Sequence, residues 1–325
     1  MPFVLYDKKE RPHELPEPLA PLADTHAHLT PFAGADPAAI LCRAAQSGVR
    51  IHVIPIDIVE DVGPQGRFGT VSGLLTWLDE QVERARELYA AAQAAGEWCA
   101  SFEGWDVPEP LDYVRFIAGA HPYSAAGLDE AALGRLDELL ASPRCVGVGE
   151  IGLDFGPWNE LGEEVQVEAF RTQLRVAHER GLPVELHLRD PEEGEPLAHI
   201  LCERVLTEEG VPEAGCDLHC YTSGPEIMYP FTNMGCYIAF GGAVTFKRSD
   251  DIREAACACP AQLMLSETDS PYMAPMPLRG MKCEPAMIGF SVACVAEERE
   301  RAHVSSREES YRQLWENAQR FFGCV

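Results

Sequence analysis

The chain has 325 residues, 46% of them apolar and 24% charged, with a formal net charge of −26. Enough apolar side chains are present for a sizeable core, which excludes disorder throughout, while every uncharged apolar run is too short to span a bilayer. The acidic balance repels polyanions over the surface and excludes broad, counterion-releasing DNA binding, although bound cations can invert the field at one local site.

Asp7, Lys8, Lys9 and Glu10 stand where a signal peptide would need an apolar stretch, so a cytoplasmic protein is expected. Residues 1–21 hold Pro2, Pro12, Pro16, Pro18 and Pro21 and read as an irregular lead-in. Short β-rich runs follow at 22–26, 50–58, 115–120, 145–150, 183–188, 216–219, 236–240 and 262–267. Most lack clean alternation, as parallel strands covered on both faces do. Between them lie helical patterns. Leu74, Leu78, Val82, Ala85, Leu88 and Ala92 form one apolar stripe of a long helix. Phe170, Leu174 and Ala177 form another, closed by Gly181 and Pro183. Ser306 with Glu309 marks a capping box that opens the last helix, with Leu314, Ala318 and Phe321 along one face.

Strands alternating with helices call for a parallel α/β sheet, either doubly wound or closed into a barrel; eight strands fit closure, as one (β/α)8 TIM-barrel domain over 1–325. The stretch 60–112 exceeds an ordinary connection and reads as a helical insertion after the second strand. Twelve cysteines without paired CxxC motifs, in a large chain with no export signal, read as free and mostly buried thiols.

Asp24-Thr25-His26-Ala27-His28 ends the first predicted strand. Residues two apart on a strand share a face, so both imidazoles can reach one cation. Glu150, His187 and His219 end later predicted strands, and Asp269 follows the last. In a barrel that end carries the active site, and unpaired ionisable groups are costly to bury. Four histidines and two carboxylates exceed the needs of one tetrahedral ion. They suit two divalent cations about 3.5–4 Å apart, with Glu150 as the natural bridge. Mixed imidazole and carboxylate donors accept Zn, Mn or Fe, whereas an all-oxygen site would point to Mg.

The matching motifs are DTHAHL at 24–29, GAHPYSA at 119–125, GEIGLDF at 149–155 and LPVELHLRD at 182–190. They continue with LHCY at 218–221, FGGAVTFK at 240–247, ETDSPY at 267–272 and PLRG at 277–280. Together they resemble the TatD family of metal-dependent deoxyribonucleases, part of the amidohydrolase-like barrels, in the family's order from about residue 22 to the last helix. The resemblance implies a first metal site of His26, His28, Glu150 and Asp269 and a second of Glu150, His187 and His219. Mg is the family's common metal, and the same ligands accept Mn or Zn. It also implies a cytosolic enzyme that hydrolyses DNA, often from the 3′ end. The chain departs from the family at Cys283-Glu284-Pro285, where Asn-Glu-Pro is usual, at Thr222-Ser223-Gly224 after His219, and in the long 60–112 segment. Those departures bear on substrate more than on metal.

The expected chemistry is attack by a metal-activated hydroxide on a phosphodiester. Glu150 and Asp269 are the expected catalytic carboxylates, Asp269 both ligating an ion and taking the proton from the water. Arg189, Lys247 and Arg279 are candidates for pairing with phosphate, a structural salt bridge being the alternative for each. His121 is a candidate for lining the pocket, and Glu267 for orienting a ligand histidine. The expected substrate is DNA, as a single strand or a 3′ end. One alternative is a small-molecule amidase or lactonase using the same two divalent ions (Mg, Mn or Zn), and another is an inactive metal-binding or interaction barrel. Neither a membrane nor an obligate protein partner is expected.

Overall fold

In the computed structural model, which describes residues 3–30 and 35–324, a short antiparallel hairpin of β1 (Val4–Tyr6) and β2 (Pro12–Glu14) leads in. Eight strands then pair in chain order: β3 (Leu22–Asp24), β4 (Val49–Asp57), β5 (Tyr113–Gly119), β6 (Cys145–Asp154), β7 (Val184–Arg189), β8 (Cys216–Leu218), β9 (Tyr237–Phe240) and β10 (Met264–Ser266). Every neighbouring pair is parallel. The ends of the sheet meet where the Thr25 N–H donates to the Ser266 carbonyl at 3.0 Å and the Ser266 hydroxyl donates to the Ala23 carbonyl at 2.8 Å. The result is a nearly closed TIM barrel with helices between its strands, as the alternating pattern predicts.

Local chemistry sets the helix ends. In α1 (Pro37–Ser47) the Asp36 side chain accepts from the Ala38 N–H, and Gly48 stops the helix at φ 109, a value that costs a glycine little. The predicted capping box forms: the Ser306 hydroxyl accepts from the Glu309 N–H and the Glu309 carboxylate from the Ser306 N–H, opening the last helix, Arg307–Phe322. Phe170, Leu174 and Ala177 are buried on the helix Glu163–Arg180, which ends at Gly181 with φ 63. The cysteines are free and mostly buried. Among the described residues no helix is long and apolar enough to cross a membrane.

The sequence expectations need amendment in two places. Residues 1–21 are not irregular throughout, because the hairpin turn is organised by Asp7. Its carboxylate accepts from the backbone N–H groups of Lys9 and Arg11 and from the Arg11 guanidinium. The 60–112 segment carries α2 (Val71–Ala94), and this helix lies against the barrel as the crossover from β4 to β5. Leu74, Leu78, Val82 and Ala85 are buried in one cluster with Ile54 of β4 and with Val114 and Phe116 of β5. Fully burying side chains of that size contributes about 1.5–3 kcal/mol each. What exceeds an ordinary connection is therefore the loops at both ends of α2. Leu88 leaves the expected stripe and is exposed, while Tyr89 turns inward.

His52 on β4 lies among Leu41, Ala44 and Ala45 of α1 and Val114 of β5, with neither ring nitrogen hydrogen-bonded. Burial pushes it from the usual 6.5 down to about 4. Above pH 6.5 the ring is neutral folded or unfolded, so it adds no pH dependence there. Below that the unfolded chain binds the proton first, and stability falls until the buried ring protonates too. The loss amounts to about 3 kcal/mol across the window. Urea melts at pH 7 and pH 4.5 should therefore show a smaller acid-dependent drop for His52→Leu than for the wild type. Equal drops would remove His52 as the cause.

Candidate metal centre

The closure between β3 and β10 brings the two ends of the chain's motif set together. Asp24, fully buried, accepts from both the N–H and the hydroxyl of Thr268 at 2.9 and 2.7 Å. The Asp269 N–H donates to the His26 carbonyl at 2.9 Å. His26 Nε2 consequently lies 3.3 Å from His28 Nε2 and 3.8 Å from Asp269 Oδ1, with His28 Nε2 3.6 Å from the same oxygen.

Glu150 joins this group to a second one. Its Oε2 lies 3.7 Å from His26 Nε2, while its Oε1 lies 2.7 Å from His187 Nδ1 and 3.0 Å from His219 Nε2. The two oxygens are thus divided between two sets of imidazoles. Sequence placed Glu150 at the end of its strand, but β6 continues to Asp154. The register against β7 shifts between Val148 and Ile151 and pairing then resumes. Gly152 permits this at φ 138, because a Cβ there would lie 2.2 Å from the His187 carbonyl oxygen.

A carboxylate stands at the far nitrogen of three of these rings. Glu185 lies 2.5 Å from His26 Nδ1, Asp154 2.8 Å from His187 Nε2, and Glu267 3.7 Å from His219 Nδ1. The first two are hydrogen bonds. The third is too long for one, and Glu267 instead accepts the Cys220 N–H at 2.6 Å through Oε1. A carboxylate holding the proton on the far nitrogen leaves the other nitrogen as a lone pair aimed at the centre. Sequence reasoning named Glu267 for this work and missed Glu185 and Asp154. The signal for Glu185 was a charge inside an apolar run, two residues from His187 and so on the same face; the ring it holds lies just beyond β3.

Burial together with the neighbouring His219 pushes His26 well below its usual range, and burial holds His28 at about 4. Both are therefore neutral, the form that binds metal. Burial lifts Asp269 to about 7 and raises Glu185 and Asp217 well above the carboxylate range. Glu150, despite burial, is lowered chiefly by His121 and His219, while His187 and His219, also buried, are raised by the carboxylates of Asp154 and Glu150 respectively. Bare imidazole nitrogens 3.3 Å apart, among buried carboxylates with orphaned oxygens on Glu185, Asp217 and Glu267, form a poor arrangement by themselves. Divalent cations relieve it, so the donor set fits metal. Mixed nitrogen and oxygen donors suit Zn, Mn or Fe better than Mg.

The remaining candidates spread around the mouth. His121 Nε2 comes within 3.5 Å of Glu150 Oε1, but its Nδ1 accepts the Tyr123 N–H at 3.1 Å. A neutral ring then carries its proton on Nε2 and faces the centre as a donor, in keeping with a pocket-lining role. Arg189 reaches the mouth, 3.8 Å from Asp154 and 5.0 Å from the Trp158 ring centroid. Arg279 is exposed, 4.2 Å from the Phe246 ring centroid, and Lys247 is exposed beside it in sequence. Cys283 is buried with Ala274, Leu278 and Met287, so that departure from the family motif packs inward. At Thr222-Ser223-Gly224 the loop is closed by the Tyr221 hydroxyl, which donates to the Gly224 carbonyl at 2.6 Å.

Known proteins resemble the chain along most of its length. Residues 23–323 match the family model described as TatD related DNase. An uncharacterized metal-dependent hydrolase of Bacillus subtilis is 34% identical over 214 residues, 66% of this chain and 79% of that protein. A Klebsiella pneumoniae protein named 3′-5′ ssDNA/RNA exonuclease TatD is 32% identical over 226 residues, covering 65% of this chain and 82% of its own. The crystal structure of a TatD homologue from Escherichia coli superposes with a TM-score of 0.67 at 25% identity, covering 94% and 99% of the two chains.

If Glu185 holds His26 for metal, Glu185→Gln should weaken Zn or Mn binding about 10–100-fold, measured by competition with a fluorescent chelator. Unchanged affinity would leave Glu185 with no part in the centre.

Proposed function

Because the chain belongs to the TatD-related DNase family of metal-dependent hydrolases, we propose that it is a 3′–5′ exonuclease acting on single-stranded DNA through two divalent ions. His26, His28, Asp269 and Glu150 would hold one ion, and Glu150, His187 and His219 the other. When bound, such ions polarise phosphoryl oxygens and lower the pKa of water towards neutrality. The observation that carries the reading is Glu150, whose Oε2 turns to His26 and Oε1 to His187 and His219.

The chain's own groups divide the remaining work. Asp269 would take the proton of the attacking water on the oxygen it does not turn to an ion. It does so at Oδ2, since Oδ1 is the oxygen nearer His26 and His28. His121 Nε2–H, Arg189, Lys247 and Arg279 would meet non-bridging oxygens of the substrate, the guanidinium groups with bidentate geometry. These contacts have to be local, because a net charge of −26 offers no extended attraction for a polyanion. The same charge is what favours the second reading, a small-molecule amidase or lactonase on this scaffold.

The test is a single-stranded oligonucleotide labelled at its 5′ end, incubated with Mg or Mn. The wild type should give a ladder of products shortened from the 3′ end. Glu150→Gln should lower the rate by more than about 100-fold, beyond the range for partners outside the ligand set, and should lower metal content measured by elemental analysis. A metal-loaded wild type that leaves DNA intact but opens a lactone or amide would decide for the second reading. One that turns over neither would decide for a binding role.

A further inference from the structure

Tyr123, Trp158 and Tyr272 are 45%, 72% and 56% exposed, and all three follow barrel strands at the end that carries the centre. Single exposed aromatics are ordinary, but these are tied to the centre through the backbone. The Tyr123 N–H donates to His121 Nδ1 at 3.1 Å, and the Tyr272 N–H donates to the Asp269 carbonyl at 2.8 Å. Trp158 sits between two residues anchored on Asp154. The Gly156 N–H donates to its carboxylate at 2.7 Å and the Asn159 side chain to its carbonyl at 3.1 Å. Asp154 is also the residue that holds His187.

The rings flank the centre on both sides. Tyr123 lies 4.6 Å from His121, whose ring is 4.4 Å from His187. Arg189 links Tyr123 to Trp158, its Nη1 3.5 Å from the Tyr123 hydroxyl and its guanidinium 5.0 Å from the Trp158 centroid. Tyr272 stands across the mouth, 5.9 Å from His28. The backbone bonds fix where each ring is attached, and the contacts with His121, Arg189 and His28 restrict the rings themselves, so less freedom is lost when a flat ligand stacks on them.

Resting on the exonuclease reading above, we infer that Trp158 and Tyr123, with Arg189 between them, and Tyr272 opposite form a base-stacking subsite for unpaired nucleobases flanking the scissile phosphodiester. Stacking suits this chain because it needs no counterion release, and every base offers a π face whatever the sequence. Arg189 adds a cation to the Trp158 platform. In a duplex the base faces are already stacked and cannot reach these rings, so the subsite selects single-stranded ends.

Binding of a fluorescent single-stranded oligonucleotide to the metal-loaded full chain, read by anisotropy, tests this against an analogue with abasic residues at the 3′ end. The wild type should bind the abasic strand about tenfold more weakly. Trp158→Ala should weaken binding of the normal strand by about the same factor and leave the abasic strand unaffected, and Trp158→Phe should restore most of the loss. Equal affinity of the wild type for both strands, or equal weakening of both by Trp158→Ala, overturns the subsite. Cleavage of the normal strand with no preference for bases would leave the exonuclease standing and remove the subsite. Base-dependent binding with no cleavage would do the reverse.

Discussion

The carboxylate of Glu150 is shared between two groups of imidazoles, and much of the barrel mouth exists to make that sharing possible. The side chain projects from inside β6, where the register against β7 slips and resumes. His26 reaches it only because Asp24 ties the end of β3 to Thr268. His187 and His219 reach it from β7 and from just beyond β8. Remove the barrel's closure and these side chains have no common point.

Electrostatics explains why the arrangement asks for cations. Burial drives His26 and His28 to the neutral form and raises several carboxylates around them. Neutral nitrogens and desolvated oxygens facing one another are ligands awaiting a positive charge. The same cations answer the difficulty posed by the acidic surface, since they supply the local positive field that the rest of the molecule lacks. Arg189 shows how sparingly other cations are used, serving an aromatic neighbour and an acidic one at once.

The 60–112 segment shows where periodicity is trustworthy and where it is not. The apolar stripe of α2 was visible because a helix repeats every 3.6 residues whatever it packs on. Whether that helix decorates the barrel or completes it depends on what its stripe meets, here Ile54, Val114 and Phe116. Leu88 fits the stripe by spacing and yet is exposed. The hairpin before β3 escaped notice because its strands are short and its turn depends on Asp7 gathering donors from several positions.

Sequence alone determined the order of the eight strands with helices between them, the capping box of the last helix and the candidate set His26, His28, Glu150, His187, His219 and Asp269. Apolar periodicity, capping residues and polar side chains after apolar runs are all local in the chain. Tertiary structure decided which oxygen of Glu150 faces which ring. It also decided that Glu185 and Asp154 hold the far nitrogens of His26 and His187 and that Tyr123, Trp158 and Tyr272 stand around one mouth. These are contacts between strands and loops far apart in the chain, set by barrel closure and register, and no spacing along the sequence encodes their distances.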